Sequence, residues 1–403
     1  MLKIFSVYKG LPRSVYILFL VQVVNRFGDF VLPFMTLLLI KKLGISFQTA
    51  GMVIMIGSML GIPGAIVGGK LADQIGRKKT YIITQTTVAL ALIPCAFVKN
   101  SYVIVTFLLV STFFNEAVRP SLSAIIADLL PADRRQAGYS LQYLGINLGA
   151  SIGPMVAGFL FNNYLPMLFI GDALTSFLAV ALVAIFISES KPSNMVEATA
   201  SKEKAEEGSV FQVLFRRKQI LIFLIIYILY SMVYTQHRFS LPLMLDEVFT
   251  GTGAEKFGLL MSINAFTVIS LTVIITSFTR KLQPLCNIIM AGILYAIGFG
   301  MIGIVNSLPL FIVSTIFWTI GEILTATNFG VYLANNSPVN YRARFNAVGS
   351  LSWASGAALG TSLIGKYIDM AGISAVWPLT FMLASIAAFF MILLHIHSTK
   401  NKA

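Results

Sequence analysis

Between two long apolar runs lies the segment Gly69-Lys70-Leu71-Ala72-Asp73-Gln74-Ile75-Gly76-Arg77-Lys78-Lys79, eleven residues with four cations, one acid and two glycines. A helix in a water-soluble core has no reason to end in such a basic tract. A membrane hairpin does, because short basic loops are retained on the cytoplasmic side. The rest of the chain agrees. Of its 403 residues 57% are hydrophobic and 11% charged, whereas soluble domains carry about 25% charged residues. There is too little polar surface here to cover a globule in water.

A helix that crosses the hydrocarbon needs about 20 apolar residues. That window predicts twelve spans, at 14–40, 48–72, 80–98, 102–129, 137–161, 167–188, 220–246, 255–279, 286–305, 308–334, 345–368 and 375–397. With the N-terminus inside, 21 of the 29 Lys and Arg fall in inner segments, 5 in outer ones, and Arg26, Arg119 and Arg238 at membrane depth. The bias predicts that both termini are cytoplasmic and that the protein is a multi-pass plasma (inner) membrane protein. Lys3, Lys9 and Arg13 precede an apolar stretch too long for a cleavable leader. The longest hydrophilic stretch, 189–219, reads as a charged linker with a short surface helix around 210–215. It divides the chain into a six-helix bundle at 1–188 and a second at 220–403. The expected fold class is an all-α membrane protein of twelve helices in two six-helix repeats, and a monomer.

Several function classes are excluded. The net charge of +13 does not imply nucleic acid, because the cations cluster at the ends of apolar segments and form no basic helix face. Cys95 and Cys286 lie in separate apolar segments, and three histidines are too scattered for a metal cluster. The run Gly64-x-x-x-x-Gly69-Lys70 mimics a phosphate-binding loop. It lacks the following Ser or Thr and lies inside a membrane helix. No convergent nucleophile or metal set suggests an enzyme, and the linker is too short to be a sensor's output domain. No cofactor is expected, and an ion gradient remains as the energy source.

The spacing Gly69-x-x-x-Asp73-x-x-Gly76-Arg77-Lys78 resembles the signature loop between helices 2 and 3 of the major facilitator superfamily. A second match lies in span 5. There Gly145, Gly149 and Gly153 stand four apart, followed by Pro154 and Gly158. Small residues at that spacing let another helix approach closely. The run Gly149-x-x-x-Gly153-Pro154-x-x-Ala157-Gly158 is similar to the helix-5 motif of the antiporter branch of the superfamily, which is much rarer among its symporters. The resemblance implies a role for the loop. The Asp at the Asp73 position faces the N-terminus of helix 11, where unpaired amides attract an anion. The Arg at the Arg77 position pairs with an acid at the end of helix 4, for which Asp128 is placed. Together these would latch the outward-open state. Gln74 stands where a cation is usual, which thins the loop's charge network. The bare alternative is a retention signal alone.

Charges at membrane depth are costly, so each marks a candidate site. Arg26 and Asp29 are three apart on span 1 and on one face, with Gln22 and Asn25 continuing a polar stripe. Glu116 and Arg119 on span 4 share the same spacing. Arg119 resembles the helix-4 Arg implicated in proton transfer by antiporters. Each pair either relays protons or simply neutralises itself. Glu322 lies near the middle of span 10, with no cation between Leu308 and Tyr341. Straight-helix arithmetic puts Arg238 about 12 Å and Glu322 about 21 Å from the outer ends of their spans. The offset of roughly 9 Å predicts that Glu322 lacks a permanent partner. Such an acid can exchange protons or meet a cationic substrate. Certain multidrug members carry an acid in a similar helix-10 context and another in helix 5, where this chain has Gln142. On span 7, Tyr227, Tyr230, Tyr234 and His237 form a stripe with Arg238 beside it. Such a stripe suits flat amphipathic molecules, or packs on neighbouring helices. His237 is placed near the outer end, open either to solvent or to the cavity.

These readings converge on a proton-coupled secondary transporter that exports small amphipathic compounds by alternating access. In such folds the substrate site lies near the midplane between repeats. The alternatives are a symporter or a lipid exporter of the same fold and, from a different class, a non-transporting membrane sensor or enzyme.

Overall fold

The computed structural model describes residues 8–131, 134–189, 210–338 and 342–400, and these contain helix and no strand. Each expected span falls on helix. The first is α1 (Arg13–Phe27) and α2 (Met35–Leu37), the latter running into a π-turn, Leu38–Lys42. Then come α3 (Phe47–Ile75), α4 (Arg77–Leu92) with its 3-10 turn Ile93–Ala96, and α5 (Ser101–Leu129). The fifth span is α6 (Arg135–Ala150) plus α7 (Gly153–Asn163), and the sixth is α8 (Leu165–Phe186). The expected surface helix is α9 (Val210–Arg216). The remainder of the linker, 190–209, lies outside the described residues, as do Lys3 and Lys402 of the charge count. The seventh span is split into α10 (Lys218–Tyr234), α11 (Gln236–Phe239) and α12 (Leu241–Val248). Five helices complete the chain: α13 (Gly253–Thr279), α14 (Pro284–Ile302), α15 (Leu308–Asn336), α16 (Arg342–Ala371) and α17 (Val376–Lys400).

Among the described residues, nine of these helical stretches are long and apolar enough to cross a membrane. The first span falls short because it is interrupted, the third because it is short, and the eleventh because α16 is rich in Gly and Ser. Large apolar side chains such as Ile66, Leu174, Ile185 and Phe278 are exposed. An apolar surface of that extent needs lipid around it. The protein is an all-α, multi-pass membrane protein, as the composition predicts.

Helix boundaries have local causes. The Asn100 side chain accepts from the Tyr102 and Val103 amides and so caps α5. Gly76 takes φ 100° between α3 and α4, a conformation that favours glycine. Within the fifth span, Pro154 has no N–H to continue the ladder, and the helix breaks at Ser151–Ile152 just before it. The sequence reading had one unbroken helix there.

The chain packs as two compact units. The first holds Met1–Gly44, Ile56–Val196 and Phe249–Phe266; the second holds Ile45–Met55, Glu197–Val248 and Thr267–Ala403. In the first unit α1 packs on α6 and α8, and α4 packs on α5 and α8. In the second, α10 packs on α16 and α17, and α14 packs on α15 and α17. The pairings correspond helix for helix, the relation of a structural repeat. Each unit also contains a glycine-seated crossing. In the first, Pro154 O lies 2.2 Å from where a Cβ on Gly258 would stand; in the second, Thr361 O lies 2.3 Å from the Cβ position of Gly51. No side chain fits at either place.

Candidate functional site

The glycine ridge of the fifth span sets the geometry of the first unit. A Cβ on Gly145 would stand 3.0 Å from Phe19 O, one on Gly149 2.5 Å from Val23 O, and one on Gly153 2.4 Å from Phe27 O. The ridge therefore carries α1 at backbone contact. Gly153 meets it at Phe27, the last residue of α1.

Beyond Phe27 the first span is non-helical from Gly28 to Phe34. Backbone amides exposed there cannot turn to water in the hydrocarbon and need a partner within the protein. Asp172 of α8 supplies it. Its Oδ2 accepts from the Phe30 amide at 3.1 Å and the Val31 amide at 3.2 Å. Asp172 is 7% exposed. Around it lie the expected pair, Arg26 Nη1 to Asp29 Oδ2 at 3.0 Å, and a short polar chain. Asn25 donates to Gln85 Oε1 at 3.3 Å, and Gln85 donates to Ser176 Oγ at 3.0 Å. Asp29, Asp172, Asn25, Gln85, Ser176 and Asn115 border a cavity of about 20 Å³, room for a water or two. Gln22 is buried on α1, whereas Gln142 of α6 is only partly buried and does not border this cavity.

Asp172 is absent from the sequence-derived candidates. The criterion that selected Glu322, a lone acid in a span without cations, would have found it. No Lys or Arg lies between Asn163 and Ser190.

Two further charge groups lie in the first unit. Glu116 and Arg119 pair at 3.3 Å, with the Arg119 side chain 61% exposed. At the inner loop Arg77 and Asp128 meet at 2.7 Å, as the resemblance implies. Glu189 joins them, accepting from the Lys78 amide at 2.9 Å and the Lys79 amide at 3.1 Å. It neutralises the open N-terminus of α4 in the manner of a capping acid. The sequence reading had Glu189 only as the start of the linker, because its contact is more than a hundred residues away. Asp73 is exposed at the end of α3.

In the second unit Tyr227 and Tyr230 of the stripe are buried and Tyr234 is half-buried. Tyr230 Oη donates to Ile288 O at 2.9 Å. Tyr227 stacks on Phe329 with centroids 4.2 Å apart. Tyr234 lies among Tyr295, Trp353 and Trp318 at 5.8, 5.5 and 6.2 Å. Glu322 of α15 meets this stripe. It shares a hydrogen bond with the Tyr234 hydroxyl, and both Glu322 and Arg238 act electrostatically on that hydroxyl. The expectation that Glu322 lacks a partner is therefore corrected. The depth arithmetic weighed only a cation as partner and left out the Tyr234 hydroxyl at the end of α10. His237 is buried, between the Tyr234 carbonyl and Arg238 Nε at 3.2 Å. It is not open to solvent. Among the described residues no three of His, Cys, Asp and Glu converge as metal ligands would.

A conserved-family model described as Major Facilitator Superfamily matches residues 18–361. The chain belongs to the major facilitator superfamily. The transporter is 24% identical to the MFS-type transporter YqjV of Bacillus subtilis (strain 168), over 75% of this chain and 73% of the relative. It is 22% identical to a Na(+), Li(+), K(+)/H(+) antiporter of Planococcus maritimus, over 81% and 82% of the two chains. Similarity to the multi-drug resistance efflux pump PmrA of Streptococcus pneumoniae is 29%, over 43% and 44%. Among solved structures, a POT family transporter in complex with a thioalcohol conjugated peptide superimposes with a TM-score of 0.80 at 18% identity, covering 97% of each chain. The nucleoside transporter NupG gives 0.76 at 15% identity, covering 95% of this chain and 99% of its own. At these identities the two structures speak for the fold of the superfamily member alone.

Proposed function

We propose that this transporter exports small amphipathic compounds, cations among them, from the cytoplasm in exchange for protons across the plasma (inner) membrane, by alternating access, with both termini cytoplasmic. One observation carries the reading. Glu322, at mid-span, shares a hydrogen bond with a tyrosine hydroxyl inside a lining of aromatic rings. Ring faces favour cations and flat apolar bodies, and the carboxylate binds either a proton or a cationic substrate. The buried Nε1 of Trp318 has no acceptor among the described residues, which leaves a donor for a polar substrate group. The glycine ridge seated on α1 and the similarity to an efflux pump and to a cation/proton antiporter support the same reading.

In this mechanism deprotonated Glu322 receives the cationic substrate, and protonation from outside displaces it. Affinity for a lipophilic cation then rises with pH through the titration of Glu322, and Glu322→Gln removes that dependence. The test is binding and efflux of tetraphenylphosphonium in proteoliposomes across pH 5–9. Pumping of the cation by wild type with unchanged pH dependence in the variant would remove Glu322 from coupling.

A second reading, alkali-cation/proton exchange, is favoured by the charged cavity of the first unit, where two carboxylates face one guanidinium. Sodium and potassium flux in the same vesicles, with no tetraphenylphosphonium flux, would establish it instead.

A further inference from the structure

The charges near the break in the first span do not sum to zero. Asp29 and Asp172 carry two negative charges when ionised, and Arg26 carries one positive. Asp29 and Arg26 both act on Asp172 through space. An uncompensated charge at membrane depth is costly, and a single proton removes it. Two acids that share one cation bind that proton as a pair rather than singly.

The two acids differ in access and in partners. The Asp29 side chain is 17% exposed and lies on the Arg26 guanidinium. Asp172 is buried behind it and holds the Phe30 and Val31 amides. Hydrogen bonds from amides to a charged carboxylate are roughly twice as strong as those to a neutral group. Whether Asp172 is charged therefore decides how firmly the non-helical segment Gly28–Phe34 is held.

We propose that Asp172 is a proton-binding residue of this transporter, that it shares one proton with Asp29, and that its charge state sets the break in the first membrane span. The proposal rests on proton coupling, not on the export of any particular compound. Water delivers the proton to Asp29, which passes it to Asp172. The neutral Asp172 loosens its grip on Phe30 and Val31, and the residues beyond the break are freed to move. No redox step or co-reactant is involved.

The other groups that face this site do not supply the proton. From α4 come Gln85 and Tyr81, whose hydroxyl lies by Asn25 and Arg26. From α5 come the neutral Ser111 and Asn115. From α6 and α7, Gly149 and Gly153 meet α1 at Val23 and Phe27, next to the break. The 3-10 turn against α8 contributes Cys95, whose thiol donates to Ala91 O at the end of α4.

The test is an infrared pH titration of the full-length protein in lipid, following the carboxyl C=O band, with no substrate added. Asp172→Asn suits it, because the amide oxygen still accepts from Phe30 and Val31 while the charge is gone. Wild type is expected to titrate in two coupled steps. Asp172→Asn and Asp29→Asn should each leave one step, at a pH matching neither wild-type step. Hydrogen exchange of residues 28–34, corrected for intrinsic rate, should change several-fold with pH in wild type and stay flat in Asp172→Asn. A carboxyl titration in Asp172→Asn identical to wild type would overturn the proposal, as would unchanged pH dependence of exchange at residues 28–34. Should Asp172→Asn not fold, the Asp29→Asn titration decides alone, since an unaltered second step there means that the acids share no proton. Both readouts stand even if tetraphenylphosphonium is not transported, so failure of the export reading is told apart from failure of this one.

Discussion

The two units present opposite solutions to a carboxylate in the membrane. In the first, Asp172 is held by backbone amides at 3.1 and 3.2 Å, with an arginine-paired acid and a chain of amide and hydroxyl side chains close by. In the second, Glu322 meets a phenol hydroxyl inside a wall of rings. The helix pairings beneath the two are the same. The difference therefore lies in side chains placed on equivalent scaffolds. A polar, water-sized cavity suits small ions, whereas an aromatic lining suits organic bodies.

The strongest way to break this contrast is to disturb the scaffold of the first unit alone. Gly149→Leu and Gly153→Leu place side chains where backbone atoms of α1 already stand, at 2.5 and 2.4 Å from the Cβ position. Overpacking costs about 1–3 kcal/mol, occasionally more, and leucine at these contacts belongs at the upper end. Transport should be abolished and the melting temperature lowered. Alanine is not mild here, because its Cβ alone meets backbone oxygen. Packing motifs of this kind generally tolerate alanine better, and that expectation is corrected at both positions. Normal flux in either leucine variant would show that the ridge does not position α1.

Arg26→Gln comes next. It leaves Asp29 and Asp172 without their cation. Breaking a buried pair costs about 3–5 kcal/mol, and the 21% exposure of the Arg26 side chain brings the expected loss to about 1–3 kcal/mol. The loss should be smaller at pH 5 than at pH 8, because a bound proton takes the place of the missing cation, as thermal unfolding at the two values would show. Equal losses at both values would mean that the trio is not charged as drawn.

Glu322→Gln should leave stability nearly unchanged and flatten the pH dependence of cation binding. The contrast predicts that the same measurement on Gln142→Ala moves little. Glu189→Ala, which frees the Lys78 and Lys79 amides, should cost about 0.5–2 kcal/mol, read as a lower melting temperature. Asp73→Asn gives the smallest effect, about 0.3–1 kcal/mol for an exposed charge at a helix end. If Asp73 latches a conformation, distances between spin labels on the cytoplasmic loops will shift in that variant. An unchanged distribution at every pH removes the latch role and leaves the loop its retention role.

Spans and loop motifs were legible in the residues because both depend on local properties. Apolar run length decides what enters a bilayer, and the loop motif is a short run of fixed spacing; its Arg77–Asp128 pair was expected from the family resemblance and not from spacing. The pairs Arg26–Asp29 and Glu116–Arg119 were legible for the same reason, since residues three apart share a helix face. Interruptions were less so. Pro154 and Pro33 stand at the breaks of the fifth and first spans, but a proline in a membrane span does not by itself say that the helix opens, and nothing comparable marks Thr235.

The helical, membrane-spanning character of the segments followed from hydropathy, which acts on each segment alone. Partners did not. Asp172 finds the Phe30 amide across 142 residues of chain, and Glu189 finds the Lys78 amide across 111. Glu322 finds Tyr234, the last residue of α10, on a different helix 88 residues away in the chain. Those contacts arise when helices pack, and a buried acid is satisfied by whatever donor the neighbouring helix brings within hydrogen-bond reach.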